Sequence, residues 1–158
     1  MIEQPPLIYI DANPFIYAIE GDKPPAQAMM KLFSLFRQGS GLGVTSELTI
    51  AEVLAKAKPP ARRRGYLNLI LWSGIFDLRS VTRDILIETA AYRRNAVIRH
   101  ADGRETMTRL PDAIHVVTAI RSRCAMLVSA DRRLKVPKGM SLIEANLAGI
   151  AGLIKDLS

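Results

Sequence analysis

The sequence predicts an α/β protein of three layers, in which helices cover both faces of a mostly parallel sheet. Short apolar, β-branched runs alternate with longer stretches of helical periodicity, and Gly, Pro, Ser or Asp marks each change. Strands separated by helices are joined by crossovers, which makes the strands parallel and covers the sheet on both sides. With 158 residues, of which 49% are hydrophobic, the chain is expected to form a single domain over 1–158.

In the first half of the chain, strands are predicted near 7–10 and 42–45, where apolar residues run into turn residues. Between and after them, helical periodicity predicts helices near 25–38, 46–57 and 61–73. The first strand, LIYI, runs directly into Asp11, so this acid could cap a helix or present its carboxylate at the edge of the sheet.

In the second half, the same patterns predict strands and helices in alternation. Strands are predicted near 76–81, 126–129 and 140–144. Helices are predicted near 82–100, 111–123 and 145–155, with a short helical turn after 130. The polar stretch HADGRETMTR at 100–109 is expected to be a surface loop, and no internal repeat or linker divides the chain.

The charge of the chain favours a nucleic-acid partner. Lys and Arg number 22 against 15 Asp and Glu, a formal charge of +7. Arginine clusters, which suit bidentate contacts with phosphates, occur at Arg62–Arg64, Arg93–Arg94, Arg121 with Arg123, and Arg132–Arg133. Each cluster alone is explained by a solvated surface, but together they favour a polyanion such as RNA.

Other features favour a soluble cytoplasmic protein. The N-terminal MIEQPP lacks the features of a signal peptide, and no apolar run approaches the roughly 18–20 residues that a membrane span needs. Cys124 is the single cysteine and has apolar neighbours, so we expect a buried thiol in a reducing compartment.

Acidic residues are expected to converge where parallel strands end. Asp11 follows the first strand, Asp131 follows the strand at 126–129, and Asp112 lies in the first turn of the helix LPDAIHVVTAI. Each is also explained by capping or by the helix dipole. Glu52 is different, because it borders the apolar stripe of the helix SELTIAEVLAKA, where a half-buried carboxylate needs a partner. Glu47 is explained by the dipole of that helix.

Carboxylates that converge repel one another, so the set is consistent with a cation among them. Oxygen ligands point to Mg²⁺ or Mn²⁺ rather than zinc. His115 lies one turn after Asp112, and the following Val116 and Val117 favour a core or supporting histidine over a ligand.

These residues lie in motifs that resemble those of PIN-domain ribonucleases, particularly the VapC-type toxins of toxin–antitoxin pairs. The resemblance covers nearly the whole chain and rests on four segments in the family's order: YIDANPFIYAIE at 9–20, TSELTIAEVLAK at 45–56, RLPDAIHVVTAI at 109–120 and LVSADRRL at 127–134. It implies the PIN α/β/α sandwich, with Asp11 and Asp131 after adjacent strands.

The resemblance also implies a role for each matching position. The acids around the metal would be Asp11, Glu52, Asp112 and Asp131, with Asn13 and Ser129 as supporting polar residues. The family more often has Thr where Ser129 stands, a change that keeps the hydroxyl.

A metal-dependent hydrolysis of RNA is the implied reaction. Because water is the nucleophile, the products would carry a 5′-phosphate and a 3′-hydroxyl. The arginines expected to contact the phosphates of the RNA backbone are Arg62, Arg63, Arg64, Arg132 and Arg133.

Two protein partners are implied as well: a second copy, forming a homodimer, and a cognate antitoxin. The segment AMMKLFSLF at 28–36 could contribute to a groove for the antitoxin, or its residues Met29, Leu32, Phe33 and Phe36 could face the core.

Two other classes of function fit part of the pattern. A phosphatase with an aspartyl nucleophile also begins with an acid after a strand, but it usually has a second Asp two residues later, where this chain has Asn13. A non-catalytic RNA-binding or scaffold module would be expected to lack one or more of the four acids, all of which are present.

Overall fold

The computed structural model describes residues 3–21 and 24–158. Its seven strands are β1 (Leu7–Ile10), β2 (Leu42–Ser46), β3 (Phe76–Arg79), β4 (Val97–Arg99), β5 (Glu105–Met107), β6 (Met126–Ser129) and β7 (Ser141–Glu144). Its seven α-helices are α1 (Ala12–Glu20), α2 (Pro24–Arg37), α3 (Glu47–Lys56), α4 (Pro60–Leu67), α5 (Arg83–Asn95), α6 (Leu110–Arg121) and α7 (Leu147–Leu157). A π-helical turn, Asn68–Trp72, extends α4. The predicted range 1–158 also includes residues 1, 2, 22 and 23, which lie outside the described residues.

Five strands form one parallel sheet in the order β3-β2-β1-β6-β7, which confirms the predicted α/β class. β1 is central: it pairs with β2 on one side and with β6 on the other. The order of the strands reverses between β1 and β6, so the crevice expected for a ligand lies at the carboxyl ends of these two strands.

Helices cover both faces of the sheet, because the side chains of β1 alternate between two buried cores. Ile8 and Ile10 pack in the larger core with residues of α1, α2 and α7. Tyr9 points to the opposite face, where Val116 and Ala119 of α6 surround it. A strand that is buried on both faces consists of a continuous run of apolar residues, which explains why the sequence LIYI predicts a strand.

In the larger core, Phe76 packs edge to face against its aromatic neighbours. The rings of Phe33 and Phe76 lie 5.1 Å apart at 90°, and Phe15 also contacts both. Gly43 in β2 makes room for this cluster, since a Cβ there would lie 2.6 Å from the Phe76 ring.

The apolar stripe of α2 faces the core rather than a groove. The side chains of Met29, Leu32, Phe33 and Phe36 are all buried. Of the two interpretations of AMMKLFSLF, the core interpretation is therefore confirmed.

Three parts of the secondary structure differ from the prediction. Helix α1 was missed because Asn13 and Pro14 suggest a turn, yet Pro14 lies in the first turn, where its missing N–H costs no helical bond. The helix predicted over 82–100 ends at Asn95, and the expected loop at 100–109 belongs to an antiparallel hairpin of β4 and β5. After 130 the chain forms turns and no helix.

In the described part of the chain, no helix is both long and apolar enough to cross a membrane. Cys124 is free and buried, as predicted, and burial raises the pKa of its thiol to about 12.

Candidate functional site

Three of the predicted acids line one cleft at the carboxyl edge of the sheet. Asp11 directly follows β1, Asp131 lies two residues after β6, and Asp112 is in the first turn of α6. The paired residues Ile10 and Val128 bring the ends of β1 and β6 side by side. The cleft encloses about 470 Å³, so residues far apart in sequence share one opening.

A second cleft, of about 320 Å³, adjoins the first and contains Glu52. Both clefts are lined by Asp11, Asn13, Arg109 and Asp112. These four residues form the shared wall, with Asp131 on one side of it and Glu52 on the other.

Asp11 is the most buried of the acids, with 5% of its surface exposed. It precedes α1, but its side chain makes no capping hydrogen bond. Among the described residues, its Oδ1 atom is buried without a hydrogen-bond partner. The pKa of this carboxyl is raised to about 6, mainly by burial and also by the charge of Asp112, while His115 and the Ser129 hydroxyl oppose the rise.

Asp112 is partly buried, which raises its pKa. The positive charge of Arg109 and the ring of His115 act against this shift, while the charges of Asp131 and Glu52 add to it. The four predicted acids are therefore close enough to influence one another electrostatically.

Asp131 is held in a local turn together with Arg133. Its backbone N–H donates to the Ser129 hydroxyl at 3.1 Å, and its carboxylate accepts hydrogen bonds from the backbone and guanidinium of Arg133. Burial acts to raise the pKa of Asp131, but these bonds and the charge of Arg133 outweigh burial and lower it.

Glu52 is half-buried and has the partner that its position in the helix required. Its Oε1 lies 2.5 Å from Nε2 of His115, whose Nδ1 lies 2.6 Å from the hydroxyl of Tyr9. His115 is therefore buried, as predicted for a core or supporting histidine. Helix α3 is also anchored beside β1 by the Thr49 hydroxyl, which lies 2.8 Å from that of Thr45. The Thr45 hydroxyl in turn donates to the carbonyl of Ile10.

The donor chemistry of the clefts fits a hard divalent cation, because the acids supply only oxygen ligands. In addition, the Oδ1 atom of Asp11 has no partner within the part of the chain that the structure describes. The positions of the side chains fit less closely. Within residues 3–21 and 24–158, no three acidic, histidine or cysteine side chains form a ready-made metal site. Two of the acids are turned to other partners, since Asp131 binds Arg133 and Glu52 binds His115.

The predicted arginines divide into two groups. Arg132 and Arg133 line the first cleft. Arg62, Arg63 and Arg64 lie outside both clefts, on the exposed surface of α4. Arg62 also forms an ion pair with Glu20 at 2.9 Å.

Three charged residues of the clefts were not predicted. Arg109 precedes α6 and lines both clefts, Lys56 lines the second, and Glu144 lines the first at the end of β7. Glu144 was the most accessible to prediction, because it ends a parallel strand and pairs with Ser129 across the sheet. Arg109 stands within the motif RLPDAIHVVTAI, but only the fold shows that it separates two clefts.

Solved structures of low sequence identity share this fold. VapBC2 from Rickettsia felis, bound to a promoter DNA fragment, matches with a TM-score of 0.64 and 14% identity over 87% of this chain and 98% of that chain. A toxin–antitoxin complex from Klebsiella pneumoniae gives 0.61 and 20% identity over 88% and 98% of the two chains. VapC20 from Mycobacterium tuberculosis, a sarcin–ricin loop cleaving toxin, gives 0.57 and 12% identity over 76% and 86%.

No curated protein sequence matches the chain. The family model described as "PIN domain" matches residues 8–139, a range that contains all four acids and both clefts' shared wall. By this match the chain belongs to the PIN domain family.

Proposed function

We propose that this protein is a metal-dependent endoribonuclease, working as a single PIN-like domain over residues 1–158 in the cytoplasm. The observation that carries the proposal is the carboxylate of Asp11, which is buried at the junction of two acidic clefts. One of its oxygens has no partner among residues 3–21 and 24–158. A buried unpaired negative charge is costly, and a cation bound beside it would offset that cost.

The four acids would divide the work. Asp11, Asp112 and Asp131 would hold Mg²⁺ or Mn²⁺, and Glu52 would contact it directly or orient a water molecule in the second cleft. The cation would supply positive charge to a phosphoryl oxygen and lower the pKa of the attacking water. Asn13 and Ser129 would support the arrangement, since both line the first cleft and Ser129 bonds to the backbone of Asp131.

Structured or single-stranded RNA is the proposed substrate. The acidic clefts have a basic rim formed by Arg109, Lys56 and Arg132, which suits a phosphate backbone that crosses from one cleft to the other. With 6% aromatic residues, the chain has few rings on which bases could stack, so we attribute selectivity to the shape of the RNA. The similarity to a toxin that cleaves the sarcin–ricin loop supports RNA as the substrate class.

A role as the toxin of a toxin–antitoxin pair is the biological part of the proposal. It is supported by the similarity to chains from two toxin–antitoxin assemblies. The protein would form a homodimer and bind a cognate antitoxin. Native purification should recover a small partner protein, and light scattering should give twice the mass of the chain. Recovery of the chain alone would argue against the toxin role and leave the nuclease proposal intact.

Cleavage of a cellular RNA pool by purified protein tests the enzyme. We expect cleavage with Mg²⁺ or Mn²⁺, none with EDTA, and none by an identically purified Asp112→Asn variant. Equal cleavage by both proteins would identify a contaminating nuclease. If neither cleaves but both bind RNA, the non-catalytic module becomes the better explanation.

The ends of the products test the chemistry. Attack by water predicts a 5′-phosphate and a 3′-hydroxyl, which end-labelling distinguishes from a 2′,3′-cyclic phosphate. Cyclic ends would show that the ribose hydroxyl is the nucleophile and would exclude the proposed mechanism. Trapping of a phosphorylated Asp11 would instead support the aspartyl phosphatase.

A further inference from the structure

Three polar side chains, joined by hydrogen bonds, run from the core to the second cleft. The hydroxyl of Tyr9 is 2.6 Å from Nδ1 of His115, and Nε2 of the same ring is 2.5 Å from Oε1 of Glu52. Tyr9 is fully buried and His115 is 2% exposed, whereas the Glu52 side chain is 29% exposed. This series of hydrogen bonds therefore begins in the core and ends on a carboxylate that faces the cleft.

The three elements that supply these residues are far apart in sequence. Tyr9 comes from β1, Glu52 from α3 and His115 from α6. Tyr9 and His115 are separated by 106 positions, so only the completed fold brings them together.

With an ionised Glu52 and a neutral His115 ring, one arrangement of the protons satisfies all three groups. An ionised carboxylate only accepts hydrogen bonds, so Nε2 of His115 must donate to Glu52. In a neutral ring, Nδ1 is then an acceptor, and the hydroxyl of Tyr9 supplies its proton. Burial raises the pKa of Tyr9 well above its usual value, which keeps the phenol protonated as this arrangement requires.

The arrangement leaves the charge of Glu52 uncompensated. A protonated ring would form an ion pair with Glu52 and would displace the hydroxyl proton of Tyr9 from this series of hydrogen bonds. A ring with its proton fixed on Nε2 instead directs the carboxylate without neutralising it. Such a donor matters here, since Asp11 and Asp112 line the same cleft and repel an unrestrained glutamate.

We propose that His115 is a positioning residue for Glu52, and that Tyr9 holds its ring by donating to Nδ1, so that the Nε2–H keeps the carboxylate oriented toward the cleft. This inference rests on the proposed nuclease function for its effect on the rate. The tautomer and the cation affinity are properties of the chain itself and can be measured without RNA.

Nitrogen NMR of the ¹⁵N-labelled, metal-free protein is the first test. Correlations between the ring protons and nitrogens of His115 should show a protonated Nε2 and an unprotonated Nδ1 at pH 7.5. Tyr9→Phe should shift the Nδ1 resonance, because Nδ1 then loses its hydrogen-bond donor, while the proton remains on Nε2 beside Glu52. A ring with its proton on Nδ1, or on both nitrogens, would overturn the proposal.

Two substitutions of similar size test the positioning. Gln at 115 can place an amide donor near the position of Nε2, whereas Asn is too short to reach Glu52 and retains only a group near Nδ1. We expect His115→Asn to weaken Mn²⁺ binding, measured by calorimetry, and to lower the single-turnover rate, each about 10- to 100-fold, with the Kd for RNA unchanged. His115→Gln should recover most of both losses. Equal behaviour of the two variants would contradict a role through Glu52.

A matched pair of tyrosine variants controls for loss of a buried hydroxyl. Tyr66 is fully buried like Tyr9, and its hydroxyl donates to Glu20, outside both clefts. Tyr66→Phe should leave Mn²⁺ affinity unchanged, while Tyr9→Phe should reduce it. If both reduce it equally, the effect is one of general stability and the proposal fails. A wild-type protein that shows the tautomer and the cation affinity but no cleavage would refute the nuclease function and leave the positioning role standing.

Discussion

Arg133 binds both carboxylate oxygens of Asp131, with its Nε 3.0 Å from Oδ1 and its Nη2 3.3 Å from Oδ2. The backbone N–H of Arg133 also donates to Oδ1 at 2.9 Å. Asp131 is one of the proposed cation ligands, and Arg133 is one of the proposed RNA-binding residues. In this arrangement the two residues satisfy each other, so a cation must compete with the guanidinium for Asp131.

This competition predicts that Arg133→Ala tightens cation binding. Removing the guanidinium frees Oδ2 of Asp131, leaves Oδ1 with only the backbone N–H of residue 133, and removes a positive charge from the cleft. We expect the Kd for Mn²⁺ to fall about two- to fivefold, the range expected for loss of an exposed ion pair. Calorimetry at low ionic strength provides the measurement. Arg132→Ala is the control, because Arg132 lines the same cleft without bonding to Asp131. Weaker Mn²⁺ binding by Arg133→Ala would mean that the arginine mainly orients the Asp131 carboxylate for the cation and does not compete with the cation for it.

The raised pKa of Asp11 predicts how stability depends on pH without metal. Its carboxyl has a pKa of about 6 in the folded protein against 3.8 in the unfolded chain. The folded protein binds the proton of Asp11 more tightly than the unfolded chain does. The stabilisation of the fold that results is fully present below about pH 4 and is lost as the pH rises through 6. Asp11→Asn should therefore increase the free energy of unfolding at pH 7.5 by about 2–3 kcal/mol, since one pKa unit corresponds to about 1.4 kcal/mol.

Urea unfolding in EDTA at several pH values measures this effect as the difference between variant and wild type. The difference should shrink toward zero near pH 4. Asp156→Asn, at an exposed position of α7, should show no such trend. Saturating Mg²⁺ should stabilise the wild type and not Asp11→Asn. An Asp11→Asn variant that is less stable than the wild type throughout would show that the carboxylate has a partner that supports the fold.

The parts of the site that could be predicted are those set by the ends of strands. LIYI and MLVS are buried runs, so the sequence indicates where each strand stops and which acid follows it. The pairing of β1 with β6 then brings Asp11 and Asp131 to the same edge. The partners of these acids could not be predicted, because a side chain's direction depends on contacts such as that between Tyr9 and His115, which the folded chain alone creates.

The differences between the predicted and the observed secondary structure have local causes. The strands β4 and β5 have three residues each, and β5 is exposed throughout, so neither has the apolar alternation of a strand. Thr108 fixes the base of this hairpin, since its buried hydroxyl donates to the carbonyl of Ala96 at 2.9 Å. A single tertiary hydrogen bond of this kind leaves no periodic signal in the sequence.

The ion pair between Arg62 and Glu20 predicts unequal roles within the cluster of arginines on α4. Glu20 also accepts a hydrogen bond from Tyr66, so Arg62 joins α4 to α1 rather than reaching freely toward RNA. Arg62→Gln should lower the free energy of unfolding by less than about 1 kcal/mol and leave RNA binding unchanged. If α4 contacts RNA, substituting Arg63 and Arg64 by Gln should reduce the salt slope of RNA binding by about 0.7 for each lost phosphate contact. Equal salt slopes for the wild type and for the variant at Arg63 and Arg64 would mean that α4 does not contact the RNA.

Arg109 is expected to contribute most among the basic residues, because it lies on the shared wall and its charge acts on both Asp112 and Asp131. A phosphate that crosses from one cleft to the other must pass this guanidinium. Arg109→Gln should therefore reduce the salt slope by about 0.7 and also slow cleavage at saturating RNA, whereas a contact remote from the reaction changes binding alone. Filter binding from low to high salt and single-turnover rates separate the two effects.

The matched control is Arg99→Gln, which removes an equal charge from the hairpin. Arg99 is 81% exposed and pairs with Glu105, outside both clefts, so its loss should affect neither the slope nor the rate. Substituting Arg132 and Arg133 together should lower the slope by more than Arg109→Gln does, since two contacts are lost. If Arg109→Gln weakens binding but leaves the saturated rate intact, Arg109 holds a flanking phosphate, and the scissile bond lies to one side of the shared wall.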